Sequence, residues 1–288
     1  MRVIDTVAAM TEARDALTGV VGLVPTMGAL HAGHLSLVRR ARADCDSVVV
    51  SVFVNPAQFG PGEDLETYPR DLDRDRRLLE AEGVDMVFAP SSGEMYAPGF
   101  DAWVEVPGPL TERLEGESRP HFFRGVTTVV VRLFRVVRPD RAYFGEKDAQ
   151  QLRVVRAMAR QERLPVEIVG LPIVREPDGL AMSSRNAYLS PEERQAALVL
   201  PRALELARAM IERDGVREAG AVRRAVESLI AAEPLARLDY VAVADDETLA
   251  PLDIIDCPAL VLLAVWFGTT RLIDNARLAP VPARSPAR

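Results

Sequence analysis

Apolar and polar positions over the first 174 residues alternate between two textures. Short, continuous apolar runs stand at 19–25 (GVVGLVP), 47–55 (SVVVSVFVN), 84–90 (VDMVFAP), 141–145 (RAYFG) and 165–174 (PVEIVGLPIV). β-Branched runs with no polar face suit strands buried on both sides of a parallel sheet. Between them, HLSLVRRARAD from His34, DLDRDRRLLEAEG at 71–83 and DAQQLRVVRAMARQE at 148–162 repeat their apolar residues at helical spacing. The 71–83 segment carries acids in its first turn and is stopped by Gly83. GVTTVVVRLFRVVRP at 125–139 is ambiguous by composition, and its length and closing Pro favour a buried helix. The alternation predicts an α/β fold with a Rossmann-like, doubly wound parallel sheet over residues 1–174.

From residue 175 the texture changes. Residues 190–215 start with Ser, Pro and a Glu at the third helical position, then run as one long amphipathic helix. A second helix at 217–233 and two strands, RLDYVAVAD and ALVLLAVWFG, predict a smaller α+β lid domain over 175–277. The Pro-, Ala- and Arg-rich residues 278–288 read as a disordered tail.

Charge and cysteine usage narrow the class. A net charge of −7 disfavours binding through nucleic-acid phosphates. Cys45 and Cys257 lie far apart, so no disulfide framework is expected and a reducing compartment is the default. The N-terminus is unlike a signal peptide, and PALVLLAVWFG falls far short of the ~20 apolar residues that span a membrane. A cytoplasmic protein without nucleic-acid or membrane partners is expected. One count changes the picture further: of 35 basic residues, Lys147 is the single lysine. In a chain that otherwise uses arginine, it points to a site wanting a compact ammonium instead of a planar fork.

Candidate chemistry gathers at strand-to-helix turns, where helix N-termini of open α/β sheets present unpaired N–H groups to anions. The first turn, PTMGALHAGH, has neither a dinucleotide fingerprint nor a P-loop, and offers H-x-G-H instead. Its His31 and His34 can donate to phosphate oxygens with Gly33 allowing close backbone approach. A metal pair or a structural pair capping the helix remain alternatives for these residues. FGEKDAQQ at 144–151 places Lys147, Asp148 and Gln151 at another such turn on the same sheet edge. REPDGLAMSSRN at 175–186 groups Ser183, Ser184 and Arg185 as an anion-binding set, if it is more than a polar linker. Asn55 and Gln58 in FVNPAQF are scarce residue types, with three Asn and five Gln in the chain, and neutral amides suit a polyhydroxy or carboxylate ligand.

Taken in order, TMGALHAGH, FVNPAQF, FGEKDAQQ and DGLAMSSRN resemble the pantothenate synthetase (pantoate–β-alanine ligase) family, within the nucleotidyltransferase superfamily, over residues 1 to about 277. The resemblance implies ATP-dependent condensation of (R)-pantoate with β-alanine through a pantoyl adenylate, in a homodimer using magnesium. It implies His34, His31 and Lys147 as catalytic. ATP would be held by Met27, Gly28, Ala29, Leu30, His31, Ala32, Gly33 and His34. Gly145, Glu146, Lys147, Asp148, Val174, Met182, Ser183, Ser184 and Arg185 would complete that set. Gln58 and Gln151 would bind pantoate and Gln58 would border β-alanine, while magnesium would come mainly through the ATP phosphates. The alternative function is a nucleotidyltransferase that adds a nucleotide to a small phosphorylated acceptor. One departure stands out. The family pattern R-P-x-H-F-x-G reads RPHFFRG here, with His121 one position early and Phe122 at the histidine position. Because Arg119 and Gly125 keep their places, a retained but altered contact is expected of His121. Ala149, where an aromatic is common, is a smaller departure.

Overall fold

The computed structural model describes residues 1–280. The chain divides into two compact units, Met1–Val174 and a second beginning at Arg175.

The first unit is built on six parallel strands, β1 (Arg2–Ile4), β2 (Val21–Thr26), β3 (Ser47–Val52), β4 (Met86–Phe88), β5 (Arg141–Gly145) and β6 (Glu167–Leu171). Their order across the sheet is β1-β4-β3-β2-β5-β6. Five helices cover it: α1 (Val7–Asp15), α2 (Ala32–Asp44), α3 (Leu72–Ala81), α4 (Phe122–Val137) and α5 (Ala149–Gln161). Successive strand residues face opposite sides, so the sheet carries two cores. Val24, Val48 and Val50 pack with Leu37, Val38 and Leu79 from α2 and α3. Leu23 and Val49 pack with Met10, Val130, Phe134 and Val155 from α1, α4 and α5. The doubly wound fold follows from apolar strands that need cover on both faces. The ambiguous 125–139 run is a helix, α4, and Arg138 ends it in a left-handed conformation (φ 45°), one residue before Pro139.

The sequence reading passes over β1 and α1. A three-residue strand is too short to show a period, and β1 exists because Arg2, Val3 and Ile4 find a register against Met86, Val87 and Phe88. The run at 165–174 is strand only over Glu167–Leu171, since Pro172 brings no N–H to the ladder.

The second unit holds three antiparallel strands, β7 (Ala236–Asp245), β8 (Ala259–Phe267) and β9 (Thr270–Leu278), in that order. Helices α6 (Pro191–Ala196), α7 (Val199–Arg208) and α8 (Ala219–Ala231) accompany them. Two expectations are corrected here. The single long helix at 190–215 is broken into α6, α7 and a π-helical segment at Ala209–Arg213, because Pro201 has no N–H for the carbonyl of Ala197. Two strands become three. β9 hides from an apolar pattern because it buries Asp274 and Asn275, and Asp274 takes a bidentate ion pair from Arg175 at 2.7 and 3.0 Å. The first residues of the expected tail are ordered, since Leu278 closes β9 and the Ala279 N–H donates to Glu212. Residues 281–288 lie outside the described residues.

Candidate active site

Strand order reverses between β2 and β5. β3 and β4 continue to one side of β2, β5 and β6 to the other. The turns leaving β2 and β5 therefore flank a switch point at the carboxyl edge, the place where open α/β sheets bind ligands. H-x-G-H sits on the first of these turns and Lys147 on the second.

The turn after β2 is held from below. Gly28 (φ 80°) and Ala29 (φ 50°) are both left-handed, and a Cβ on Gly28 would stand 3.0 Å from Asp75 Oδ2 and 3.1 Å from Val52. This bend turns the N–H groups of Ala29 and Leu30 onto the buried Asp75 carboxylate, each at 2.9 Å. Those two amides are spent on protein, so any ATP contact of Ala29 and Leu30 must use other atoms. Burial raises the Asp75 pKa, opposed by the two backbone hydrogen bonds and by Arg74. Asp75 escapes the sequence reading because it looks like one more acid in the first turn of α3. Asp75→Asn would turn an amide N–H toward a backbone N–H and leave a buried donor unpaired, a cost of about 1–3 kcal/mol. The expected outcome is a lower Tm together with a raised ATP KM in pyrophosphate exchange; unchanged values of both would show the carboxylate is dispensable.

His31 caps α2 and forms a reciprocal capping box with His34. The Gly33 N–H donates to His31 Nδ1 at 3.2 Å, and the His31 N–H donates to His34 Nδ1 at 3.4 Å. The ring centroids are 4.0 Å apart. The capping alternative is thus realised, and it does not compete with phosphate binding. With Nδ1 accepting in both rings, each neutral imidazole carries its proton on Nε2. His34 has its pKa lowered to about 3, first by desolvation and then by electrostatic interaction with His31 and Lys147. It is a neutral hydrogen-bond donor across the physiological range. Lys147 lies in a short 3-10 turn, Glu146–Asp148, half-buried like Asp148, while Glu146 is exposed. Its effect on His34 places both turns in one electrostatic field.

The neutral amides divide by role. Asn55 is buried and every polar group on it is used: Nδ2 donates to Gln58 Oε1 (2.9 Å) and to the Gly125 carbonyl (3.1 Å). Its Oδ1 accepts from Tyr96 Oη (2.7 Å) and from the Ala57 N–H (3.2 Å). Asn55 is scaffold, and the half-buried Gln58 is the amide it presents. Gln150 and Gln151 divide likewise. Gln150 is buried and ties down Leu110, Arg113 and Glu115, whereas Gln151 is half-buried, one position on.

Comparison with known proteins settles the family. The model described as pantoate-beta-alanine ligase matches residues 2–277. The chain belongs to the pantoate-beta-alanine ligase family. A pantothenate synthetase from a Roseiflexus species is 61% identical over 280 residues, 96% of this chain and 99% of that one. The crystal structure of pantothenate synthetase from Thermus thermophilus is 54% identical with a TM-score of 0.93, covering 97% of this chain and all of that one. A Francisella tularensis pantoate-beta-alanine ligase, described as complexed with beta-gamma ATP and beta-alanine, is 32% identical with a TM-score of 0.81 over 96% of this chain and 97% of that one.

In this ligase the shifted RPHFFRG motif has a structural resolution. Arg119 makes a bidentate ion pair with Glu63 (2.8 and 2.6 Å) and donates to the Gln58 carbonyl at 3.0 Å. Phe122 stacks beneath the Arg119 guanidinium, 3.8 Å from its centroid. Gly125 admits the Ala57 carbonyl so closely that a Cβ would meet it at 2.1 Å. Three of the motif residues thus brace the Asn55–Gln58 segment. His121 is exposed at the start of α4, and no side chain caps that helix. In the second unit of the ligase, Ser183 caps a 3-10 turn over Ser184–Tyr188 by accepting from the Arg185 N–H at 3.2 Å. Asn186 fixes that turn by donating to Glu176 and to the Ala181 carbonyl. Met182, Ser183, Ser184, Arg185 and Val174 are all half-buried.

Proposed function

We propose that this ligase condenses (R)-pantoate with β-alanine at the expense of ATP, giving pantothenate, AMP and pyrophosphate. A pantoate carboxylate oxygen attacks the α-phosphorus, the bond to pyrophosphate breaks, and pantoyl adenylate forms. The β-alanine amine then attacks the pantoyl carbonyl carbon and AMP leaves. The observation that carries the reading is the pair of Nε2–H donors of His31 and His34 beside Lys147 at the switch point. Charge develops on the departing pyrophosphate, and fixed donors aimed there lower the barrier without reorganising. His34 works as a neutral donor, and Lys147 supplies the compensating charge.

The remaining roles rest on the motif resemblance. Residues Met27 to His34, Gly145 to Asp148, Val174 and Met182 to Arg185 are proposed to hold ATP, with Gln58 and Gln151 on pantoate and Gln58 bordering β-alanine. The second unit is proposed as the lid, since an acyl adenylate must be kept from water. Magnesium is proposed to travel on the triphosphate; among the described residues no group of three or more His, Cys, Asp or Glu side chains could hold a metal ion. A cytoplasmic homodimer is proposed on the same resemblance. Among the described residues no helix is long and apolar enough to cross a membrane.

Pyrophosphate–ATP exchange tests the reading. Exchange should require pantoate, and AMP should be released only when β-alanine is added. Exchange without pantoate, or a nucleotide retained in the final product, would replace the ligase reading with that of a nucleotidyltransferase.

A further inference from the structure

We propose that Asn55, held in place by Tyr96, is a positioning residue that sets the polarity of Gln58, so that the site turns the Gln58 NH2 toward pantoate. The inference rests on the assignment of Gln58 to pantoate.

An amide side chain has two faces of opposite character, and nothing in its shape chooses between them. At Asn55 the choice is forced. The Gly125 carbonyl can only accept, so the group 3.1 Å from it is Nδ2. The Ala57 N–H can only donate, so the group 3.2 Å from it is Oδ1. Tyr96 Oη, at 2.7 Å from Oδ1, is then a donor. Burial pushes the Tyr96 pKa up to about 12, which keeps that proton in place. The second Nδ2 proton goes to Gln58 Oε1 at 2.9 Å, and this turns the carbonyl end of Gln58 toward Asn55. The NH2 of Gln58 is thereby directed away from Asn55. Two N–H donors match a carboxylate or a hydroxyl oxygen and repel an ammonium, so the relay discriminates between the acid end of one substrate and the amine of the other.

Tyr96 sits among aromatic rings that hold it in place. Trp103 stacks at 6.1 Å between centroids, Phe100 packs edge-on at 5.2 Å and Phe53 lies at 6.3 Å. Only the hydroxyl reaches Asn55, so Tyr96→Phe removes the relay's first bond and leaves the packing.

The experiment measures KM for pantoate and for ATP in pyrophosphate exchange for wild type, Tyr96→Phe, Gln58→Leu and the double variant, with a thermal melt of each. Tyr96→Phe should raise the pantoate KM roughly 3- to 10-fold, the range one hydrogen bond supplies, with the ATP KM and kcat near wild type. In the Gln58→Leu background the same change should have no further effect on pantoate, because the group it orients is gone. A merely structural role would instead shift both KM values and add in the double variant. Asn55→Asp, which can only accept at both oxygens, should turn Gln58 over and raise the pantoate KM further than Tyr96→Phe does. A wild-type pantoate KM in a folded Tyr96→Phe, with Gln58→Leu impaired, would overturn the relay alone. A wild-type pantoate KM in Gln58→Leu would overturn the assignment of Gln58 to pantoate and the relay with it.

Discussion

Replacing His34 by Asn should lower pantoate-dependent pyrophosphate exchange by roughly 100- to 1,000-fold while leaving the start of α2 intact, the loss expected for one missing donor to a developing charge. In the proposed mechanism the imidazole has two separable duties. Its Nδ1 accepts the His31 N–H and closes the capping box. Its Nε2–H is the group available to the leaving pyrophosphate. Asn can place an oxygen near the Nδ1 position and has nothing near Nε2. His34→Gln, whose terminal NH2 reaches further, should recover part of the exchange, whereas His34→Ala should lose both duties and about 1 kcal/mol of capping stability besides. Near-wild-type exchange in His34→Asn would remove the proposed role. Acid supplies a second measurement. His34 titrates near pH 3 when folded against 6.5 for the free group, so as pH falls the unfolded chain takes up the proton first. Its contribution to stability is therefore complete above pH 6.5 and is lost progressively toward pH 3. Urea midpoints at pH 7, 5.5 and 4 should fall less steeply in His34→Asn than in wild type; parallel profiles would show that His34 titrates normally.

Lys147→Arg should impair adenylation roughly 10- to 100-fold although the charge is kept. Lys147 is half-buried in the turn after β5, and its field reaches His34. An ammonium is a compact point charge that can rotate its three protons among phosphate oxygens. A guanidinium is planar and bulkier, and it would press on the imidazole whose Nε2 must stay aimed. The variant is measured by kcat and ATP KM in exchange: a large loss in kcat with a stable fold is expected. Normal turnover would mean that any cation serves there, and that the chain's single lysine has no special chemistry.

Much of the candidate site was legible in local sequence because its parts lie on turns. The strands at 21–26, 47–52 and 141–145 are apolar runs ended by Gly, Pro or Asn, and the residues following each run carry H-x-G-H, Gln58 and Lys147. A parallel sheet then brings those turns to one edge without further information. Asp75 and Tyr96 were harder to read. Each acts through hydrogen bonds to residues 41 to 46 positions away, or through one such residue to the site, and no spacing rule spans that distance.

What the sequence determined by itself was the alternation of buried strand and amphipathic helix, the doubly wound sheet, and which side chains of each turn are candidates for chemistry. These depend on local periodicity and on residue type. Tertiary structure alone decided orientation: which nitrogen of His31 and His34 is spent on the helix, which amide of each Asn/Gln pair is scaffold, and where Arg119 and Phe122 brace the loop. Orientation is set by the one partner that a buried polar group finds across the fold, because leaving that group unpaired costs more than most local preferences are worth.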